Sequence, residues 1–498
     1  MKKFSITLIF ISAFILTACG EIAAAEDIFS PVRTQILETL EKTKVASLSV
    51  AVARDGKIIW EEGFGLADLE KKVKATHHTM YSLASVSKPI TATGLMVLVE
   101  RGLVELDKPA NFYLGDGKLN AYEGKASEAT VMRLLNHTAG LPMHWNFFYE
   151  NELRMRPAMD ESIRRFGIIV IPPGEEFHYS NFGYGVIDHI ISRVSGKSYA
   201  DFMKTEVFEP LGMTRTTIPI GPGLEDHAAL RYDKNQKPIP FYDFDHRGAS
   251  AVWSTAHDLV RFGMFHLKNH LEDQKQILKD EAIDVMQREK DPKAPGSEYG
   301  LGWSLIDLLG YRFISHSGGM PGVSTRLTLI PSENLVTVLL CNGETPDLWK
   351  IELAVYAAFL PELAKKLEVE KIEPEEEEQV KFSPPGSLLG EWAGEVKTDG
   401  KTLPAKLVIQ ENAQVSLELD GKIFSPLTMK TPLGTMKFKD GIFQGPFYGN
   451  FNTFESARSP HIPFIRLKLQ GQRLSGYIAA VAVNQSFCLP FWIELKKQ

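Results

Sequence analysis

The chain has 498 residues, 44% of them hydrophobic and 23% charged, with 39 Gly and 28 Pro. That composition belongs to a folded globular protein and excludes a disordered, collagenous or disulfide-stapled one; at about 150 residues per domain it provides for two or three domains, each able to bury a core. The 55 Lys and Arg against 62 Asp and Glu leave a formal charge of -7, a balance without the cationic surface that a phosphate backbone requires, so nucleic acid is not an expected partner. Three cysteines cannot build a disulfide framework or a four-thiolate metal site.

Met1-Lys2-Lys3 precedes an apolar run from Phe4 to Leu16. The run is too short to span a bilayer, which takes about 20 residues, and suits the core of an export signal. It closes on Leu16-Thr17-Ala18-Cys19, which resembles the lipobox of bacterial lipoproteins. In that case residues 1–18 are a signal peptide, Cys19 is the lipidated residue and residues 19–28 form a tether. Cleavage after Ala23-Ala24-Ala25 is the alternative and would give a soluble secreted protein. The expectation is an exported lipoprotein facing the periplasm or the cell exterior, joined to the membrane only through the lipid on Cys19, because several acyl chains on one cysteine make a stable anchor. Cys341 closes the apolar run from Leu335, and Cys488 lies in another; both read as small buried hydrophobes.

Residues 29–367 read as one α/β unit. Ser47 to Ala53 and Lys57 to Phe64 are β-rich runs around the hairpin signal Arg54-Asp55-Gly56. Tyr311 to Ser315, Ser324 to Ile330 and Leu335 to Cys341 make three more strands, and Leu348 to Leu360 has helical spacing up to Pro361. Strands at both ends of a mainly helical middle predict a sheet assembled from the two chain ends, with an inserted, mostly α subdomain. Residues 368–385, with the acidic run Glu375 to Glu378, read as a linker. Residues 386–498 alternate with period two between Asp420-Gly421, Asp440-Gly441 and Gly471-Gln472, the pattern of a small antiparallel β domain.

Three segments carry chemistry. In Ser85-Val-Ser-Lys88 the serine and lysine stand at i and i+3, one turn apart on a helix. A serine hydroxyl needs a neighbouring base, and a lysine supplies one when burial favours its neutral amine. The apolar stretch Ile90 to Leu98 predicts that burial; spacing alone would fit a surface helix equally well. Tyr179-Ser180-Asn181 follows the turn Pro173-Gly174 and precedes the apolar stretch Val186 to Val194. A phenol can accept and donate a proton and an asparagine amide can hold a carbonyl, although Tyr149-Glu150-Asn151 and Tyr448-Gly449-Asn450 share the spacing. His316-Ser317-Gly318-Gly319 ends a predicted strand, where glycines admit a ligand close to backbone N–H groups.

In this order, these segments resemble the penicillin-recognising serine hydrolases, nearest the class C β-lactamase-like branch that includes DD-peptidases, D-aminopeptidases and esterases. Relatives with S-x-x-K often pair it with S-D-N and K-T-G; here Tyr179 to Asn181 and His316 to Gly318 take those places. Leu134 to Pro142, Pro173 to Asn181, Ala251 to Asp258 and Tyr299 to Trp303 extend the likeness. It implies a β-lactamase/transpeptidase-like α+β fold over residues 29–367, followed by a lipocalin-like barrel. It also implies Ser85, Lys88 and Tyr179 as catalytic residues and Asn181, His316, Ser317 and Gly318 at the substrate. The N–H groups of Ser85 and Gly319 would form the oxyanion hole, and no metal or organic cofactor is required. The implied activity is cleavage of an amide or ester through a Ser85 acyl-enzyme, on a peptide, a peptidoglycan stem or a small ester. A true β-lactamase or DD-carboxypeptidase, or a sensor that stays acylated, is the alternative, and a further one makes the β-barrel the lipid- or wall-binding part. Where many β-lactamases have lysine, His316 predicts a weaker, pH-dependent attraction for a carboxylate. His266 and His270 stand four apart, but Leu267 occupies the place of the glutamate in H-E-x-x-H, and the pair is expected on a solvated helix face.

Overall fold

A hairpin near the N-terminus starts the main sheet. Ser47–Arg54 and Lys57–Asp68 are joined by Asp55 and Gly56, both at positive φ (51° and 72°), a turn whose twist matches that of the strands. The seven antiparallel strands lie in the order Ser304–Leu308, Tyr311–Met320, Val323–Ile330, Leu335–Cys341, Ser47–Arg54, Lys57–Asp68, Val73–Lys74. The chain ends meet in the middle, Leu48 opposite Cys341 and Arg54 opposite Leu335, as the sequence pattern predicts. The structure is a computed structural model that describes residues 27–218, 224–288, 298–345, 347–369, 382–398, 400–427, 435–450 and 456–498. Cys19, the signal segment and most of the acidic linker lie outside them.

Both central strands are buried almost throughout, because alternate side chains meet helices on opposite faces. Val50, Val52 and Leu339 pack with Val32 and Ile36 of the helix Ser30–Thr43 and with Ile351 and Val355 of Leu348–Phe359. On the other face Gly263 of the helix Ala256–His266 sits on Val336 and Leu327. Between the two halves of the sheet comes the helical insertion, whose center is Ser87–Glu100, buried from Ser87 to Leu98. Cys341 and Cys488 are free and buried.

The strand Tyr311–Met320 runs five residues past its predicted end. Its pairing with Val323–Ile330 continues through Gly318 opposite Thr325 and Gly319 opposite Ser324, which outweighs the poor strand propensity of two glycines. Among the described residues its other edge is paired from Tyr311 to Ser315, and beyond Ser315 no described strand covers that edge.

The C-terminal domain is a closed barrel of eight antiparallel strands, from Gly390–Thr398 to Phe487–Lys497, closed by pairing of its first and last strands. Asp420-Gly421 and Asp440-Gly441 make the expected tight turns with all four φ positive. The barrel docks on the hydrolase part: Phe487 and Cys488 pair with Asn146 and Trp145 of the strand Trp145–Tyr149, and Tyr122 stacks on Trp492 with ring centroids 5.0 Å apart.

Candidate active site

Ser85 is presented by a strained turn. Ala84 has φ +47°, a conformation that costs an ordinary residue about 1–2 kcal/mol. The turn Ala84–Val86 is held from both sides: Leu83 N–H donates to the Val252 carbonyl at 2.9 Å, and the Thr325 hydroxyl donates to the Leu83 carbonyl at 2.7 Å. Ser85 is left half-buried. Lys88, one helical turn on, is 0% exposed.

That burial drives the Lys88 pKa well below the ordinary lysine value, because a charged ammonium loses its hydration there. The neutral amine has two hydrogens and one lone pair. Asn181 Oδ1 at 2.8 Å and the Ala249 carbonyl at 3.3 Å can only accept, so they take the two hydrogens. The remaining direction, toward Ser85 Oγ at 3.1 Å, holds the lone pair. With the amine neutral, the serine hydroxyl can donate to the lysine nitrogen across that 3.1 Å contact, as a hydroxyl paired with a base requires.

Tyr179 closes the group. Its phenol hydrogen-bonds Ser85, and burial raises its pKa above the ordinary tyrosine value, so it keeps its proton. Its ring lies 4.7 Å from Lys88 Nζ. Asn181 opens the helix Asn181–Ser195, and Ser180 caps it by accepting from Gly183 N–H, which is why a serine between the two functional residues is useful. Asn181 Nδ2 donates to the His144 carbonyl at 3.1 Å, fixing which way the amide points.

The third segment reaches the site through its backbone. A Cβ on Gly318 would lie 2.3 Å from the Leu83 carbonyl oxygen and 2.3 Å from Thr325 Oγ1, whereas one on Gly319 would meet nothing within 4 Å. Glycine at 318 lets the strand pass against the turn that carries Ser85, and Gly319 is exposed. Ser317 is also exposed, and its carbonyl accepts from His316 Nδ1 at 2.7 Å. His316 departs from the expectation of a pH-dependent cation. It is 6% exposed, Tyr299 O–H donates to its Nε2 at 2.8 Å, and burial pushes its pKa down to about 3. It stays neutral through the physiological range.

Several participants were not foreseen. His137, at φ +61°, lays its ring 4.3 Å from that of Tyr179, and its Nδ1 accepts from Ser180 N–H at 3.1 Å. Tyr184 and Tyr299 back the same pocket. His137 and Tyr299 fall inside stretches already noted for their likeness to the family, which was the available signal; the Ala249 carbonyl had none. The solvated face expected for His266 and His270 is corrected. His266 is fully buried and its Nε2 lies 2.9 Å from Thr93 Oγ1, while His270 stands beyond the end of the helix, beside Asp280. Among the described residues, one trio of side chains is close enough to consider for a metal, His144, Asp245 and His246. Their contacts of 2.7 to 3.1 Å are those of direct hydrogen bonds.

The beta-lactamase family model matches residues 32–358. The chain belongs to the beta-lactamase family. A curated relative of this beta-lactamase-family chain is Penicillin-binding protein 4* of Bacillus subtilis (strain 168), 29% identical over 331 residues, 62% of this chain and 71% of that protein. Of other curated relatives it matches, the chain spans about 62% of the length. Among solved structures, the octameric penicillin-binding protein homologue from Pyrococcus abyssi has a TM-score of 0.57 at 21% identity and covers 93% of this chain and 99% of that one. Such coverage must include the barrel. A class C beta lactamase from Rhodobacter sphaeroides has a TM-score of 0.55 at 22% identity, over 67% of this chain and 99% of the other.

Proposed function

We propose that the protein is an extracytoplasmic serine hydrolase that cleaves an amide or ester through an acyl-enzyme on Ser85, with a peptide, a peptidoglycan stem or a small ester as substrate. The observation that carries this reading is the contact set of the buried Lys88: two acceptors stand at Nζ, where they would take the two hydrogens of a neutral amine and leave its lone pair toward Ser85 Oγ. As Oγ attacks the carbonyl carbon, the serine proton passes to Lys88 Nζ. The N–H groups of Ser85 and Gly319 receive the oxyanion. The proton then moves from the Lys88 ammonium through the Tyr179 phenol to the leaving amine or alcohol, the bond to the leaving group breaks, and water hydrolyses the acyl ester. The raised pKa of Tyr179 suits a relay that gives up one proton only as it takes another, and makes it a poor base by itself.

A fluorophosphonate or a fluorescent penicillin should label the protein and fail to label Ser85→Ala; the name of the Bacillus subtilis relative supports penicillin as a probe. Absence of Ser85-dependent labelling by either would sink the proposal. Rapid loss of the penicillin label means turnover, and persistence would point instead to an acylated sensor. Rates on p-nitrophenyl esters, nitrocefin and a D-Ala-D-Ala peptide rank the substrate classes. The neutral, engaged His316 offers a carboxylate no ion pair, which supports esters and amides over β-lactams. The export address belongs to the same proposal: the Cys19 thiol after Leu16-Thr17-Ala18 carries the lipid, and labelled fatty acid should be incorporated in the parent chain and lost in Cys19→Ala.

A further inference from the structure

The two acceptors that direct the Lys88 lone pair come from segments joined by one buried carboxylate. Asp245 has no exposed side-chain surface. It accepts from His144 Nε2, 3.0 and 3.1 Å from its two oxygens, and from His246 Nδ1 at 2.7 Å. The His144 carbonyl is the group that fixes the Asn181 amide, and only with that amide so turned does Oδ1 face Lys88. His246 immediately precedes the short helix Arg247–Ser250, which carries the Ala249 carbonyl. Oδ1 accepts from both imidazoles and Oδ2 shares the His144 bond; a carboxylate accepts at both oxygens, whereas an amide there would present N–H donors at one of the two positions. The Arg154 and Arg458 guanidiniums face this carboxylate from outside the trio, and Arg458, a barrel residue, donates to the Phe147 carbonyl at 2.9 Å.

We propose that Asp245 is a positioning residue: by clamping His144 and His246 it holds the His144 and Ala249 carbonyls at the spacing that turns the Lys88 lone pair toward Ser85. This rests on the hydrolase reading above. Misplacing a reacting group by about 1 Å costs on the order of 100-fold in rate, so Asp245→Asn, which sets an amide N–H against one imidazole, is expected to lower kcat and fluorophosphonate labelling about 10- to 100-fold with KM within about 3-fold. Its pH profile should also move upward, as water reaches a loosened Lys88. A purely structural Asp245 would lower only the yield of folded protein. A folded Asp245→Asn with the parent kcat and pH profile overturns the proposal. If that variant does not fold, His246→Gln, which keeps a side-chain N–H donor, should retain about tenfold more rate than His246→Leu; equal rates overturn it. Should Ser85 prove unreactive in the parent, the hydrolase reading fails. Crystal structures of these variants then test the tie separately, since an unmoved Asn181 amide and Ala249 carbonyl would refute it.

Discussion

Asn181→Asp would replace a dipole by a full negative charge of the same shape beside Lys88 Nζ, at 2.8 Å. Taking 332/(εr) with an effective dielectric of about 20, that charge favours the ammonium by about 6 kcal/mol, roughly four pKa units. Burying the new carboxylate takes part of this back, so an upward shift of about two to four units is expected. The reactive form is the neutral amine, which exists above its pKa. Below the pKa the reactive fraction falls about tenfold per pH unit, so the shift displaces the whole labelling profile upward by about two to four units. At a pH below both pKa values fluorophosphonate labelling should fall about 100-fold or more in the variant, and it should climb about tenfold per unit until the pH reaches the variant's own pKa. The variant also loses the N–H given to the His144 carbonyl, but that loss is the same at every pH. The rate of labelling measured from pH 5 to 10 separates the two effects. A variant profile that runs parallel to the parent, however low, would mean that Lys88 is not the base.

Gly318→Ala should destabilise the protein by about 3 kcal/mol or abolish labelling, since its Cβ would press on backbone and on Thr325. Gly319→Ala should keep the melting temperature within the small range of surface changes, and equal effects of the two would contradict the placement of this strand. Acid should destabilise the fold early. His137, His266 and His316 are buried, with folded pKa values well below normal for the first and about 3 for the others. Unfolded histidine takes up a proton below about pH 6.5, so their contribution is whole above that pH and shrinks as pH falls; at pH 5 the loss is about 2 kcal/mol for each of His266 and His316. A melting temperature unchanged between pH 7.5 and 5 would refute this. Truncation after residue 381 should give a protein that aggregates and loses labelling, because it bares Ile168, Val170 and Ile171. Arg466→Ala, which removes the pair with Glu176 at 3.0 Å but leaves the apolar cluster in place, should be much milder than the truncation; a soluble, fully active truncated chain would count against the interface.

What could be read from the sequence followed short-range rules. The strand Leu335–Cys341 ends where its apolar run ends, and Asp-Gly pairs mark barrel turns because both residues accept positive φ. The burial of Lys88 was legible in the apolar residues that follow it. The lone-pair geometry was not, since it depends on a main-chain carbonyl at Ala249, and backbone acceptors leave no mark in a sequence. His316 misled for a related reason: its charge is decided first by its burial and then by the neighbouring Lys88, neither of which can be read from the residues beside it in the chain. His266 shows the same limit, because i and i+4 spacing says which side chains share a helix face and not whether Thr93 waits opposite that face.

The barrel's part in the molecule follows from which of its faces is dry. Eight strands leave an interior that side chains can fill or a small ligand can occupy. Here Trp392, Leu407, Leu417, Phe443, Ile465 and Ile493 have no exposed surface, so the described interior is side-chain core. On the far wall Lys401–Ile409 alternates between buried and more exposed positions, as a wall with one wet side must. Arg473–Ala482 and Phe487–Lys497 do not alternate: they are buried at nearly every position. Their outward residues Tyr477, Ala479, Val481 and Trp492 join Ile168, Val170 and Ile171 in one cluster. Just beyond it Lys468 meets Glu175 at 2.9 Å, Arg466 meets Glu176, and Tyr477 O–H lies 3.4 Å from His178 Nε2. Those three partners occupy the residues leading directly into Tyr179. Among the described residues the barrel thus packs an outer wall, rather than a lumen, against the segment that leads into Tyr179.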